Sequence, residues 1–314
     1  MSPRVLTFEP GMASLGTATV AIGVFDGVHL GHQALIQTCR SRAADLGTAS
    51  VVVTFDRDPD RVVAPDRAAL QLLELEDKVE ALSALGIDAI VVVPFNAAVA
   101  SMSPEAFVHE VLLAACRPLV VVVGEDFRFG RGASGDVTSL AAIGEHASFE
   151  VEPHPLVRVG GAPVTSTRIR SLVAGGQVAA AAQLLGRPHR LRGTVIRGRG
   201  IGARLGAPTA NLLTHAYAAT PAPGVYACWA NLGFERHPAA VFVGKPLTLA
   251  QSQPGVEAHL IGYGSGPLYG REMALDFVDR LRDVERFEDE RALAAAIAAD
   301  IERVREKLGD AQHR

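Results

Sequence analysis

Cysteine is scarce in this chain. The 314 residues hold three, Cys39, Cys116 and Cys228, far apart and without CxxC spacing. That excludes a disulfide framework and a cysteine-built zinc site, and it fits a reducing cytoplasm. Long apolar runs are missing as well. Runs such as Leu119 to Val123 are far too short to span a bilayer, and no secretory signal opens the chain. The expected location is the cytoplasm, with no membrane partner. Excess positive charge is absent too: the net charge is -4. A nonspecific nucleic-acid role is therefore disfavoured, and any phosphate site must be a local basic cluster. Nearly all basic residues are Arg and Ala is abundant, which reads as codon bias, not chemistry. Internal repeats and low-complexity tracts are also lacking.

What is present is ordinary for a globular protein with sizeable cores: 48% hydrophobic and 20% charged residues. The length suggests two domains. The first part alternates strand-like and helix-like runs. Thr19 to Ile22, Ala49 to Phe55, Asp88 to Phe95 and Pro118 to Gly124 read as strands. His32 to Leu46 and Glu76 to Leu85 read as helices, each stopped by a glycine, Gly47 and Gly86. Ser103-Pro104-Glu105 starts a further helix. Such alternation predicts a parallel sheet covered on both faces, with ligands at the carboxyl ends of its strands. After Gly186-Arg187-Pro188 the rhythm changes. Arg192 to Ile196, Val225 to Ala230, Ala239 to Val243, Val256 to Ile261 and Met273 to Phe277 are short β-rich runs separated by Gly and Pro. They predict a small antiparallel sheet or barrel. Glu288 to Leu308 closes the chain as an amphipathic helix. The boundary falls near residue 187.

The turn after the first of these strands is Gly23-Val24-Phe25-Asp26-Gly27-Val28-His29-Leu30-Gly31-His32. It is neither a GxGxxG fingerprint nor a P-loop. Small residues let a phosphate approach the backbone, and a helix N-terminus offers free N–H groups. His29 and His32 can face one ligand. On spacing alone, a tight turn with incidental histidines is an equal reading. The HxGH pattern, however, marks a nucleotidyltransferase superfamily, and GVFDGVHLGHQ strongly resembles its FAD synthetase branch. That resemblance implies that His29 and His32 stabilise a triphosphate during attack on its α-phosphate, with no covalent enzyme intermediate. It places Gly23, Phe25, Asp26 and Gly31 in the nucleotide and flavin pocket. Val123 to Gly130 resembles the family's VGxDFRFG loop and implies the same for Asp126 and Phe127. Thr165-Ser166-Thr167-Arg168-Ile169-Arg170 resembles its STxxR segment. Ser166, Thr167, Arg168 and Arg170 would form a second phosphate site for the same ATP, since Arg suits bidentate phosphate binding. One stretch departs. Where the family often has an FxPHP-like string, this chain has Phe55-Asp56-Arg57-Asp58-Pro59-Asp60. An acid near a triphosphate is unfavourable unless it faces Mg²⁺ or Arg57.

Further along, Gly198-Arg199-Gly200-Ile201-Gly202 leads to Leu205-Gly206-Ala207-Pro208-Thr209-Ala210-Asn211. Glycines suit a loop that wraps phosphates, and Thr and Asn offer hard oxygen ligands. Alone, the string is more often a turn. It closely resembles the GxPTAN motif of riboflavin kinases, with Ala207 where that family commonly has Phe. The resemblance implies that Gly198 and Gly202 bind the nucleotide and that Thr209 and Asn211 hold Mg²⁺. Gly255 to Leu260 resembles the strand carrying that family's catalytic Glu, which would make Glu257 the base. Leu268 to Glu272 and Phe277 to Arg282 resemble segments that close the flavin pocket. Gly244 to Leu249 departs from the family's GTxPTF-like loop and brings in Lys245. Together the resemblances imply a Rossmann-like α/β nucleotidyltransferase domain with a parallel sheet, 1–186. A small antiparallel β-barrel riboflavin kinase domain with a C-terminal helix, 187–314, would follow. The implied chemistry converts riboflavin and ATP to FMN, then FMN and ATP to FAD and pyrophosphate. Small molecules are the expected partners, and the chain a monomer or weak homo-oligomer. Two alternatives are a kinase with an altered adenylyltransferase half, and a non-catalytic flavin-binding regulator.

Overall fold

The structure, a computed structural model, describes residues 2–198, 206–244, 255–264 and 266–309. Gly202 and Lys245, singled out above, lie outside them. Contacts divide the chain into two units, Met1–Thr165 and Ser166–Arg314.

In the first unit, six strands pair in parallel: β1 Arg4–Thr7, β2 Thr17–Ile22, β3 Ala49–Phe55, β4 Ala89–Val93, β5 Arg117–Gly124 and β6 Glu150–His154. Their order is β1-β4-β3-β2-β5-β6. The continuous Val runs follow from burial on both faces. Val20, Val51, Val53, Val91 and Val121 enter one core, while Ala21, Val52, Ile90, Val92 and Val122 enter the other. Helix Leu30–Leu46 stops at Gly47, which is left-handed as expected of a C-terminal cap (φ 63°). The edge strands β1 and β6 were not legible as strands. β1 has only four residues. β6 carries Glu150 and Glu152, which pair with Arg42 at 3.5 and 2.9 Å. Such short or charged edges resist further pairing. A two-residue hairpin, β7 Arg158–Val159 with β8 Ala162–Pro163, completes the unit.

The strand order locates a crevice. From β2 the chain moves to β3 and β4 on one side, then returns to place β5 on the other. The order therefore reverses between β2 and β5, where open α/β sheets bind ligands at their carboxyl ends.

The second unit holds a closed antiparallel barrel, β10-β13-β12-β11-β14-β9. Its strands are β9 His189–Ile196, β10 Ala210–Thr214, β11 Gly224–Leu232, β12 Glu235–Gly244, β13 Gly255–Leu260 and β14 Glu272–Arg282. Alternate residues such as Leu191, Leu212, Val241, Val256, Ala258 and Phe277 fill the interior. The closing helix, Glu290–Gly309, lays Val304 and Leu308 on Ala227, Trp229 and Ile261. Helices Ser166–Ala174 and Val178–Leu185 also belong to this unit, upstream of the change in sequence rhythm at residue 187. The physical reason is burial: Val178 packs into the barrel's own cluster. All three cysteines are buried. Desolvation pushes the Cys39 and Cys116 thiols up to about 12 and raises Cys228 as well, so none is poised for thiolate chemistry.

Candidate active site

Two chemically loaded regions stand out, one in each unit. The first is the turn that leaves β2. It is held in an unusual backbone: Phe25 and Val28 have φ of 52° and 41°, left-handed values that a β-branched residue rarely adopts. Each costs about 1–3 kcal/mol and persists only if its surroundings enforce it. They do. The Asp26 carboxylate is buried and accepts from Leu72 N at 2.9 Å and Leu73 N at 3.3 Å. Gln33 Nε2 donates to Val28 O at 2.9 Å, and Thr54 Oγ1 to Val24 O at 3.1 Å. Asp26 thus braces the turn through the backbone of a later segment.

His29 ends the turn as the N-cap of helix Leu30–Leu46, its Nδ1 accepting from His32 N at 3.4 Å. The His29 and His32 rings stack with centroids 3.5 Å apart, and the edge of Phe25 packs on His32 at 5.3 Å. A Cβ on Gly31 would lie 3.1 Å from the His29 ring, so glycine makes room for it. Two imidazoles are therefore preset at a helix N-terminus, where free N–H groups and the dipole favour an anion. Gly23 begins the turn at the end of β2.

At the end of β5, on the other side of the order reversal, Phe127 stacks on Phe129 at 5.4 Å, and Phe129 is buried against Phe107 at 6.0 Å. Asp126 is exposed and Phe127 half-buried. The departing stretch after β3 is ordered by itself. Asp56 takes Arg57 at 2.7 Å and accepts from Phe95 N, while Asp58 accepts from Asp60 N at 3.0 Å. Arg57 thus answers Asp56, not Asp58. Ser166, Thr167, Arg168 and Arg170 open helix Ser166–Ala174 in the second unit, with Thr167 exposed and the other three half-buried.

The second region lies on the outer face of the barrel. Antiparallel register sets Asn211 opposite Glu257, Glu257 opposite Phe242, and Phe242 opposite Val225. Thr209 Oγ1 donates to Glu257 Oε2 at 3.4 Å. Thr209, Val225, Phe242 and Glu257 line a cavity of about 340 Å³ between the barrel and the closing helix. Its polar rim is Thr209, Glu257 and His259; its apolar walls include Val225, Phe242, Phe287, Leu293 and Ile297. Arg282 also lines it and holds Asp300 of the helix at 2.8 Å. Phe277, read with Arg282 as a closing segment, instead faces the barrel interior against Tyr226. This volume and lining are typical of a small-molecule site.

Residues that sequence reasoning missed include Phe242 and His259. His259 Nδ1 lies 2.9 Å from Pro208 O. A carbonyl only accepts, so Nδ1 carries the proton and ties the Pro208-Thr209 string to β13. Its place two residues after Glu257 was the available signal, since strand faces repeat every second residue.

Whether a hard cation suits this region is testable on the donor atoms. Asn211 is buried, and its Oδ1 has no hydrogen-bond partner among the described residues. A buried polar atom without a partner is costly unless a ligand completes it. With the Thr209 hydroxyl, the set matches Mg²⁺. Among the described residues no cluster of three His, Cys, Asp or Glu could hold a metal alone, so ligand oxygens would complete the shell. Gly198 abuts the same amide: a Cβ there would sit 2.0 Å from Asn211 Nδ2.

Comparison with known proteins finds a family model over each half of the chain. A family model described as FAD synthetase matches residues 12–168, and one described as riboflavin kinase matches residues 185–308. The bifunctional riboflavin kinase/FMN adenylyltransferase of Pseudomonas fluorescens is 33% identical, covering 93% of this chain and 94% of its own. The enzyme of the same description from Escherichia coli strain K12 is 32% identical over 92% of each chain. That from Bacillus subtilis strain 168 is 31% identical over 90% of each. A crystal structure from Streptococcus pneumoniae, described as a macrolide-efflux protein, superposes with a TM-score of 0.84 at 27% identity. It covers 96% of this chain and 98% of that one. Among the described residues no helix is long and apolar enough to cross a membrane.

Proposed function

The chain belongs to the bifunctional riboflavin kinase/FMN adenylyltransferase family, and on that premise we propose how its residues divide the two reactions. It is a transferase of flavin cofactor synthesis: riboflavin and ATP become FMN and ADP, and FMN and ATP become FAD and pyrophosphate. We assign phosphorylation to 187–314 and adenylylation to 1–186. The observation that carries this assignment is the meeting of Thr209 and Glu257 at the polar rim of an apolar cavity, with Asn211 opposite Glu257 on the neighbouring strand.

In the kinase reaction the isoalloxazine ring occupies the apolar part of the cavity, with Phe242 and Phe287 among its walls. Glu257 takes the proton of the terminal ribityl hydroxyl as that oxygen attacks the γ-phosphorus, the bond to the β,γ-bridging oxygen breaks and ADP leaves. Mg²⁺, held by Thr209 Oγ1 and Asn211 Oδ1, would supply charge neutralisation to the phosphates. Gly198 leaves the Asn211 amide in place for that role. In adenylylation the FMN phosphate attacks the α-phosphorus of ATP and pyrophosphate leaves. His29 and His32 donate to the phosphate oxygens as charge develops, aided by the helix N-terminus; Gly23 and Gly31 let the phosphates close on the backbone. Arg168 and Arg170, with Ser166 and Thr167, also bind phosphate. Asp126, Phe127 and Phe25 shape the flavin and nucleotide pocket, with Asp26 bracing the turn beneath it. The chain acts in the cytoplasm as a monomer or weak homo-oligomer, with no nucleic-acid partner.

Purified protein incubated with riboflavin, ATP and Mg²⁺ should yield FMN and then FAD on flavin chromatography. FMN without FAD would sink the adenylylation half and favour the altered-kinase reading that Arg57 and Asp58 motivate. Tight flavin binding without turnover would favour a regulator. A narrower expectation concerns Gly198. In Gly198→Ala the new methyl must displace the Asn211 amide. FMN formation should fall by about 10-fold or more, because small misplacements of a positioning group cost that much. FAD formation from supplied FMN should be unchanged in the same preparation.

A further inference from the structure

Lys78 lies on helix Leu75–Ser83 and is buried, with only 4% of its surface exposed. An ammonium is a costly choice for such a position, where an apolar residue would pack without desolvation. Its hydrogen bonds explain the choice. Nζ donates to Val24 O at 3.2 Å and to Phe55 O at 2.6 Å. Val24 lies in the turn that ends at His29 and His32. Phe55 ends β3 and begins the Phe55 to Asp60 stretch. One cation therefore joins two loops at the carboxyl ends of neighbouring strands, where this fold class binds ligands. The charged groups that face it are Asp26 from the turn and Asp56 and Asp58 from the stretch after β3.

We propose that Lys78 is a positioning residue for adenylyl transfer. Its ammonium holds the histidine turn in register with β3 and adds positive charge beside Asp26, Asp56 and Asp58. Neither the motif strings nor the assignment of catalytic residues includes it. The proposal rests on the assignment of adenylylation to residues 1–186. The two ideas fail separately: no FAD from the wild type sinks the assignment, whereas normal FAD formation without Lys78 sinks this inference alone.

Burial lowers the Lys78 amine to about 8, against the partial support of Asp26, Asp56 and Asp58. The charge is thus present at neutral pH and lost as pH rises through that value. The neutral amine is a weaker donor to Val24 O and Phe55 O, so the tie between the two loops loosens.

The test follows both reactions in one preparation, from about pH 6 to about pH 10, a range that brackets this titration. Wild-type FAD formation from supplied FMN should fall through about pH 8, and FMN formation from riboflavin should lack that limb. Lys78→Met should slow FAD formation at neutral pH by about 10- to 100-fold, lose the alkaline limb, and keep FMN formation. Wild-type speed in Lys78→Met, or an alkaline limb that survives it, overturns the proposal. If Lys78→Met does not fold, the wild type still decides. FAD and FMN rates that run parallel through alkaline pH overturn it, and divergence near pH 8 supports it.

Discussion

Glu257→Gln should lower FMN formation by about 10²- to 10⁴-fold, the usual effect of removing a general base, and leave FAD formation from supplied FMN unchanged. The substitution is nearly isosteric. It keeps an oxygen able to accept from Thr209 Oγ1, now 3.4 Å away, and keeps its place opposite Asn211 and Phe242. Only the capacity to take a proton is removed. The loss should therefore appear in kcat, with little change in the KM for riboflavin. Initial rates at several riboflavin concentrations separate the two. FMN formation within a factor of about ten of wild type would remove Glu257 as the base. Loss of both reactions in a folded protein would show that the two sites are not independent.

The double substitution of His29 and His32 by Ala should have the opposite pattern. FAD formation should drop by about 10³-fold or more, since losing even one preorganised donor to a developing oxyanion costs about 10²–10³. FMN should then accumulate from riboflavin. This substitution has a structural cost that must be told apart from the chemical one. His29 caps helix Leu30–Leu46, and His32 packs under the edge of Phe25. Removing an N-cap costs about 0.5–2 kcal/mol. His29→Asn supplies the separation, because Asn is itself a favoured cap. It should hold the thermal transition of the first unit near that of wild type and still lose most FAD formation. Retained FAD formation in His29→Asn would mean that the ring serves the cap and not the phosphate.

Much of the fold was legible in local pattern. The Val51 to Val53 run announced a strand buried on both sides, because alternate side chains enter two cores. Gly47 announced a helix end because only a left-handed residue closes it there. The edge strands β1 and β6 were not legible, since one is four residues long and the other carries charge. Nor was β10. The Pro208 to Asn211 string reads as a turn, yet Ala210 and Asn211 are already paired with β13 and β9. The division of the chain was blurred for a related reason. Helix Val178–Leu185 has the periodicity of the first region but buries Val178 in the barrel's cluster.

The candidate sites divide along the same line. The sequence by itself determined the two glycine-rich turns, their order along the chain and the residue types offered to each. Those features are local: glycines, a helix start and two histidines three residues apart lie within one turn. Only the tertiary structure decided that Asp26 braces the turn instead of facing outward, and that a buried Lys78 ties it to β3. It alone placed Asn211 beside Glu257 and set Phe242 and the closing helix around one cavity. Strand register and helix packing bring these residues together from distant positions, and neither is written in the spacing of any one segment.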